Sequence, residues 1–560
     1  MKLSRVVAGT LTAFALTLTG CANIGRDQPA PGGPASQGSE AMIPELILPT
    51  EIAGNITSAA LANYNPLAPN NMTVTWIYQT LMFRNTFTCE AEPLLATGYE
   101  WTDPKTLVIT LREGVTWSDG TPFTADDVVW NLEARKKYPA ADTAGIWKDI
   151  LGAPATGVTA DGNKVTVTFA GPAPLKIDEI IGGKMYIFPK HIYESVGDIT
   201  KYVDKEPVGT GPFTVNNFNG RSLVLDRNPN YWGAADIKIE KLRLEGKFDD
   251  TNAAALKLRD GGLDLYKGDI PNPEKSVKLE GKVDYYYAPA GTTVVVPNAE
   301  GKVTGDPKFR EALAYGTNKE EATQKATYGV MDPASQTMLK LPMQEADLPE
   351  KYKADGGKIA YDPEKAKQLL DAAGYKLGPD GKRLDKDGKP LALSFSVQAG
   401  WIDYIALVDT VVRNWKALGI DIKMVATDPP AVDSKKKTGD FDFLLEYIHG
   451  GCQRNRDLGS RIASSQIADG KEVKPNNARY RNPEVDQLLK DLDQTTDPAV
   501  LKSGVEKLID VYMTDFPYIA LNYAPGRLDY RLDKATGWPS EENPYPTDLI
   551  LVIPKLRPKQ

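Results

Sequence analysis

Two spacings of apolar residues alternate along this chain, and each predicts its own kind of element. Where every second residue is apolar, one face of a strand is being buried. Leu107, Ile109 and Leu111 do this over Thr106–Leu111, ahead of the turn Ser118-Asp119-Gly120. Val165, Val167 and Phe169 alternate after Asp161-Gly162, which with Gly157-Val158-Thr159 before it predicts a hairpin. Asn219-Gly220 joins Phe213 and Val215 to Leu223 and Leu225 in a second hairpin. Further on, Leu391, Leu393, Phe395 and Val397 alternate after Asp387-Gly388.

Helices are marked by their starts. Asp306-Pro307, Asp362-Pro363, Asn482-Pro483 and Asp497-Pro498 each set a capping oxygen before a proline. The N–H that proline lacks is one the first helical turn does not use. Thr124 and Asp127 form a capping pair ahead of Val128, Val129 and Leu132, and Gly374 ends a helix carrying Leu369 and Leu370. Four of these five starts lie beyond residue 300, while hairpins dominate before it. The pattern predicts mixed α/β lobes of differing character.

The N-terminus follows another rule. Lys2 and Arg5 precede an uncharged apolar run from Val6 to Leu18, too short to span a bilayer comfortably but suited to secretion. Leu18-Thr19-Gly20-Cys21 then resembles a bacterial lipobox. It implies a signal peptide over 1–20 and lipidation, palmitate included, of Cys21 as the first mature residue. Residues 21–41, rich in Pro, Gly, Ala and Ser, read as a flexible stalk that lets the body move above the headgroups.

Composition narrows the function. At 560 residues the chain exceeds what one core serves, so two or three lobes are expected. A formal charge of −8 gives no long-range attraction to nucleic acid or an anionic bilayer, so no nucleic-acid partner is expected and the lipid is the membrane anchor. The two histidines, His191 and His449, rule out a multi-histidine cage; neither metal nor cofactor is expected. Beyond Cys21 only Cys89 and Cys452 remain. An oxidising compartment permits them to pair, and two buried free thiols are the alternative. Hydrolase, zinc-protease and P-loop motifs are missing, and Asp126-Asp127 serve a helix dipole, so enzymatic activity is not expected.

Longer blocks carry a resemblance. Glu92-Pro93-Leu94-Leu95-Ala96 through Trp101, and the run Leu111-Arg112-Glu113-Gly114-Val115-Thr116-Trp117-Ser118-Asp119-Gly120-Thr121-Pro122-Phe123-Thr124-Ala125-Asp126-Asp127-Val128, come first. Pro207-Val208-Gly209-Thr210-Gly211-Pro212-Phe213, Arg227-Asn228-Pro229-Asn230-Tyr231-Trp232-Gly233, Phe309-Arg310-Glu311-Ala312-Leu313-Ala314-Tyr315 and Leu418-Gly419-Ile420 follow in order. Over nearly the whole mature chain these blocks resemble the extracellular solute-binding proteins of peptide-type ABC importers, family 5. The glycines at 209 and 211 permit a sharp backbone passage, and Trp232 reads as a packing anchor.

The resemblance implies a two-lobed α/β periplasmic-binding-protein fold (type II, large cluster) with an extra β-rich subdomain and a hinge between the lobes. Lobe I would take 42–288 with a subdomain inserted at about 83–198, lobe II 289–519, and 520–560 would return to lobe I. Pro289-Ala290-Gly291 and Phe516-Pro517 are the hinge candidates. The implied function is capture of short peptides and their delivery to ABC permease subunits by a monomer. Import of an oligosaccharide or another small solute, or peptide sensing, are the alternatives.

Ligand contacts are expected from several places. Trp401 and Tyr404 form an aromatic wall or pack under the helix they precede. Tyr447, His449 and Cys452 follow the strand Phe441–Leu445, where the family's "G-W-x-x-D" segment falls. Here Ile448 replaces the Trp, and the nearest acid is Asp457. Arg454, Arg456 and Arg461 make this loop basic, suited to an anionic ligand or simply solvated. Tyr523 and Arg527 in the C-terminal strip, and Tyr64 and Asn65 in an early segment, complete the candidates.

Overall fold

The computed structural model describes residues 41–49, 63–68, 74–183, 185–220, 222–246, 248 and 250–560. Cys21, the signal segment and nearly all of the stalk lie outside them.

Local rules act as the pattern predicts. Asp306, Asp362, Asn482 and Asp497 each accept a backbone N–H from the first turn of their helix, at 2.8–3.0 Å. Thr124 N–H donates to Asp127 Oδ2 at 2.9 Å, closing the start of helix Ala125–Lys137. Gly374 takes φ +93° after helix Pro363–Ala372, the left-handed conformation that glycine adopts without strain.

These elements gather around separate cores. In the first lobe, strand Leu46–Pro49 runs parallel to Lys241–Glu245, followed antiparallel by Leu223–Arg227 and Phe213–Phe218. A second antiparallel sheet joins Ala96–Asp103, Thr106–Leu111, Lys164–Phe169 and Ala155–Asp161. It buries Leu107, Ile109, Val165 and Val167 with Val128 and Leu132 in a core of its own. Trp232 lies in the same region under the guanidinium of Arg112, 3.7 Å from the ring centroid, and donates its indole N–H to Gln79. Gly209 and Gly211 press against the backbone of Trp76 and Ile77, leaving no room for a β-carbon. Close approach is what requires these two glycines.

A six-stranded sheet runs from the first lobe into the second, where most of it lies. Its order is Leu265–Tyr266, Ile519–Arg531, Val283–Pro297, Phe443–His449, Leu393–Gln398, Ile422–Thr427. Two of these strands are exceptionally long and antiparallel, pairing from Val283 with Arg531 to Val295 with Ile519. Tyr286, Ala288, Leu528 and Tyr530 on them pack in the first lobe's core, whereas Val295, Ile519 and Leu521 pack in the second's. The same pair of strands therefore serves both cores. They break register between Pro289 and Gly291, opposite Pro525 and Ala524. The return crossing thus lies at 524–526, not at Phe516-Pro517, because Phe516 is 2 % exposed within the second core.

Candidate functional site

Where the long strands pass between the cores, their side chains face a cavity of about 400 Å³. The first lobe contributes the loop Asp269–Pro273, held stiff by Pro271 and Pro273. The strands contribute Tyr287, Asn522 and Arg527, and the second lobe contributes Tyr328 and the start of helix Ile402–Ala417. That helix buries Leu407, Val408, Val411 and Trp415, which fixes the direction of its first turn. Gly400 turns the chain into it at φ +87°.

Trp401 and Tyr404 meet edge to face, 5.2 Å between centroids, and both line the cavity. Trp401 is 39 % exposed, Ile402 79 % and Tyr328 46 %, so the rim presents apolar surface to solvent. Such a group of exposed rings beside a cavity marks a ligand site more often than a random surface does.

The cavity's charges are unbalanced. Arg527 pairs with Asp269 at 2.8 Å and acts on Asp403 only at longer range; Asp403 accepts the N–H of Tyr404 at 2.9 Å. Burial, and then the charge of Asp269, raise the pKa of Asp403. Behind the lining, Tyr287 donates to Asp529 Oδ1 at 3.1 Å. Asp529 is 0 % exposed, and burial pushes its carboxyl up to about 8. Asn522, 1 % exposed, spends its amide N–H on Tyr523 O and leaves Oδ1 without a partner.

The other candidates fall elsewhere. Tyr64 packs in the first lobe's core, and Asn65 is buried there with its amide N–H on Ile199 O and Tyr202 O. Tyr523 is buried with its hydroxyl on Leu339 O, receiving the N–H groups of Ser335 and Leu341. None of the three lines the cavity, and the side-chain polar atoms of Asn65 and Tyr523 are taken by backbone groups. Tyr447 meets His449 edge to face, centroids 4.2 Å apart, beside the crossing. A β-carbon at Gly291 would strike the Tyr447 ring and Ile448 O. Burial, then Arg461 and Lys340, lower the pKa of His449.

The loop after His449 is not a free basic surface. Arg454 pairs with Asp347 at 2.9 Å, Arg456 with Glu179 at 3.1 Å and Arg461 with Glu446 at 3.7 Å. Asp457 lies 3.9 Å from Arg454, and burial raises its carboxyl to about 6. Cys452 is bonded to Cys89, with 5.1 Å between their α-carbons, rather than both being free thiols. Cys89 sits between the strands Met82–Arg84 and Ala91–Pro93. Gln453 donates to Leu175 O and Lys340 to Thr86 O, both at 3.2 Å, so the whole loop is tied to the inserted subdomain.

The family described as bacterial extracellular solute-binding proteins, family 5 Middle, matches residues 90–465, more than half of the chain. The chain belongs to this family. Family 5 members are extracytoplasmic solute-binding components of ABC importers, and their relatives here are binding proteins. A periplasmic oligopeptide-binding protein of an oligopeptide ABC transporter of Thermotoga maritima has the same two-lobed fold. It is 25 % identical with a TM-score of 0.77, covering 92 % of this chain and 99 % of that one. The mannohexaose-bound structure of that oligopeptide-binding protein is 26 % identical with a TM-score of 0.69, over 92 % and 99 % of the two chains. The nickel-binding periplasmic protein of Escherichia coli K12 is 24 % identical over 504 residues, 84 % of this chain and 88 % of that one.

Sequence reasoning missed Asp269, Asp403, Asn522 and Tyr328. Asp403 was within reach, set between Trp401 and Tyr404, where a carboxylate beside two rings suggests a binding wall. The others come from distant segments and carry no local signal.

Proposed function

We propose that this family 5 protein is the substrate-binding lipoprotein of an ABC importer, capturing short peptides in the cavity between its lobes. The carrying observation is that one cavity of about 400 Å³ is lined by both lobes and by the strands that join them. Bending at 289–291 and 524–526 closes the lobes on the ligand, and ligand shifts the equilibrium by its differential affinity for the closed state. A membrane permease then receives the ligand from the closed form. The signal peptide is 1–20 and Cys21 carries the lipid, with 21–41 as stalk. Lobe I comprises 42–288 and the chain beyond the return crossing at 524–526, with an inserted subdomain at about 83–198, and lobe II the stretch between. The protein acts as a monomer and returns its ligand unchanged, without catalysis.

Rings at the rim accept many side chains by apolar and stacking contact, and each is worth about 1 kcal/mol beyond the area it covers. The same rings suit sugar faces. An oligosaccharide is therefore the second reading, supported by the exposed indole of Trp401 and by the mannohexaose held by the Thermotoga relative. Native mass spectrometry of freshly purified full-length protein tests the choice. A mixture of short peptides is the expected cargo; a single sugar or a metal chelate would overturn it.

A further inference from the structure

We propose that the cavity selects ligands bearing a cation, an ammonium or guanidinium group, and that Asp403 is the counter-charge. The proposal rests on reading this cavity as the capture site.

Among the described residues that line the cavity, the charged groups are Asp269, Asp403 and Arg527. Arg527 is ion-paired with Asp269 and acts on Asp403 only as a more distant charge, so the lining holds two carboxylates for one cation. Lys340 and the arginines at 454, 456 and 461 do not line this cavity, and each of those arginines has a carboxylate of its own. Asp529, the remaining acid nearby, is sealed behind Tyr287.

A half-buried carboxylate with no partner is poorly solvated, and closure of the lobes would strip more water from it. A cationic group in the cavity removes that penalty, whereas a neutral or anionic ligand makes it worse. Asn522 supplies an independent sign of the same preference. Its Oδ1, on a residue of the cavity lining, is an acceptor with no donor. A ligand N–H, or water carried in with it, would satisfy that atom. The aromatic rim adds to this, since ring faces attract cations as well as apolar groups. Asp403 stands in the first turn of its helix, where the dipole steadies its negative charge. The dipole cannot replace the missing cation, because it leaves the net charge of the cavity unchanged.

The test uses full-length wild-type protein and the variants Asp403→Asn, Asp403→Glu, Asp457→Asn and Trp401→Ala. Titration calorimetry measures binding of a pool of tri- to pentapeptides free of Lys and Arg, and of the same pool N-acetylated. Wild type is expected to prefer the free-amine pool by about thirtyfold or more. Asp403→Asn should lose that preference while Asp403→Glu retains part of it and Asp457→Asn all of it. The proposal is overturned if acetylation changes nothing, if Asp403→Asn still discriminates, or if Asp457→Asn is the variant that does not. Should neither pool bind and Trp401→Ala leave copurified ligand in place, the capture site itself is misassigned, and this proposal goes with it.

Discussion

Two regions bring the lobes together, and they treat charge in opposite ways. At the loop 450–461, each arginine faces a carboxylate from a distant segment, and a disulfide adds a covalent tie. At the cavity beside the long strands, two carboxylates share one arginine and three large apolar side chains stand at the rim. A region whose arginines are matched internally and which is tied by a disulfide is built as a contact between parts of the protein. A region with one charge and several rings unmatched is completed by something from outside. By that criterion the loop is structure and the cavity is the site.

The disulfide gives the largest expected effect. His449 pairs with Gly291 at the crossing, and Cys452 follows three residues later, within about 10 Å of that strand. The Cys89–Cys452 bond therefore forms a third covalent link beside the two hinge strands. Cys452→Ser should lower stability by about 2–5 kcal/mol, read from denaturant midpoints with and without reductant. Ligand affinity should change by less than about threefold. A large loss of affinity with unchanged stability would place the loop in the binding site and reverse the comparison.

At the cavity the signs are exchanged. Trp401→Ala should weaken ligand binding by about 1–3 kcal/mol, measured by calorimetry, while the unfolding midpoint barely moves, because the side chain is largely at the rim. Asp529, behind the cavity, sharpens the picture through pH. Its folded carboxyl is pushed up to about 8 from an ordinary value near 4. The stability it contributes is thus present below about pH 4 and is lost as pH rises through about 8. Asp529→Asn should flatten the fall in melting temperature between pH 5 and pH 9. The smallest effect is expected from Arg456→Ala. Its pair with Glu179 is partly exposed, so the loss should stay below about 1 kcal/mol and leave binding unaltered.

What could be read from sequence divides along the same physical line. Caps at Asp306, Asp362, Asn482 and Asp497 act within three residues, so the sequence pattern located them. Alternation over 106–111 and 165–169 was equally local, and burial of one strand face followed it. The cavity was legible only in part: Trp401, Tyr404 and Arg527 stood out as candidates, whereas Asp269, Tyr328 and Asn522 join them only after both lobes have folded. The arginine loop looked basic for the converse reason: Asp347, Glu179 and Glu446, which neutralise it, come from other segments. Asn65 and Tyr523 looked available because their partners are backbone groups that sequence does not display, and Tyr64 because its burial in the first lobe's core is not local. The return crossing was displaced from Phe516-Pro517 to 524–526 because a proline suggests a bend, whereas packing of Phe516 into the second core decides where the chain leaves it.

Hydrogen exchange of the full-length protein, with and without its copurified ligand, tests the assignment most directly. Ligand should slow exchange in segments 269–273, 326–330, 400–404 and 522–527 together, leaving 450–457 unchanged. Protection concentrated in 450–457, with the cavity segments unaffected, would contradict it.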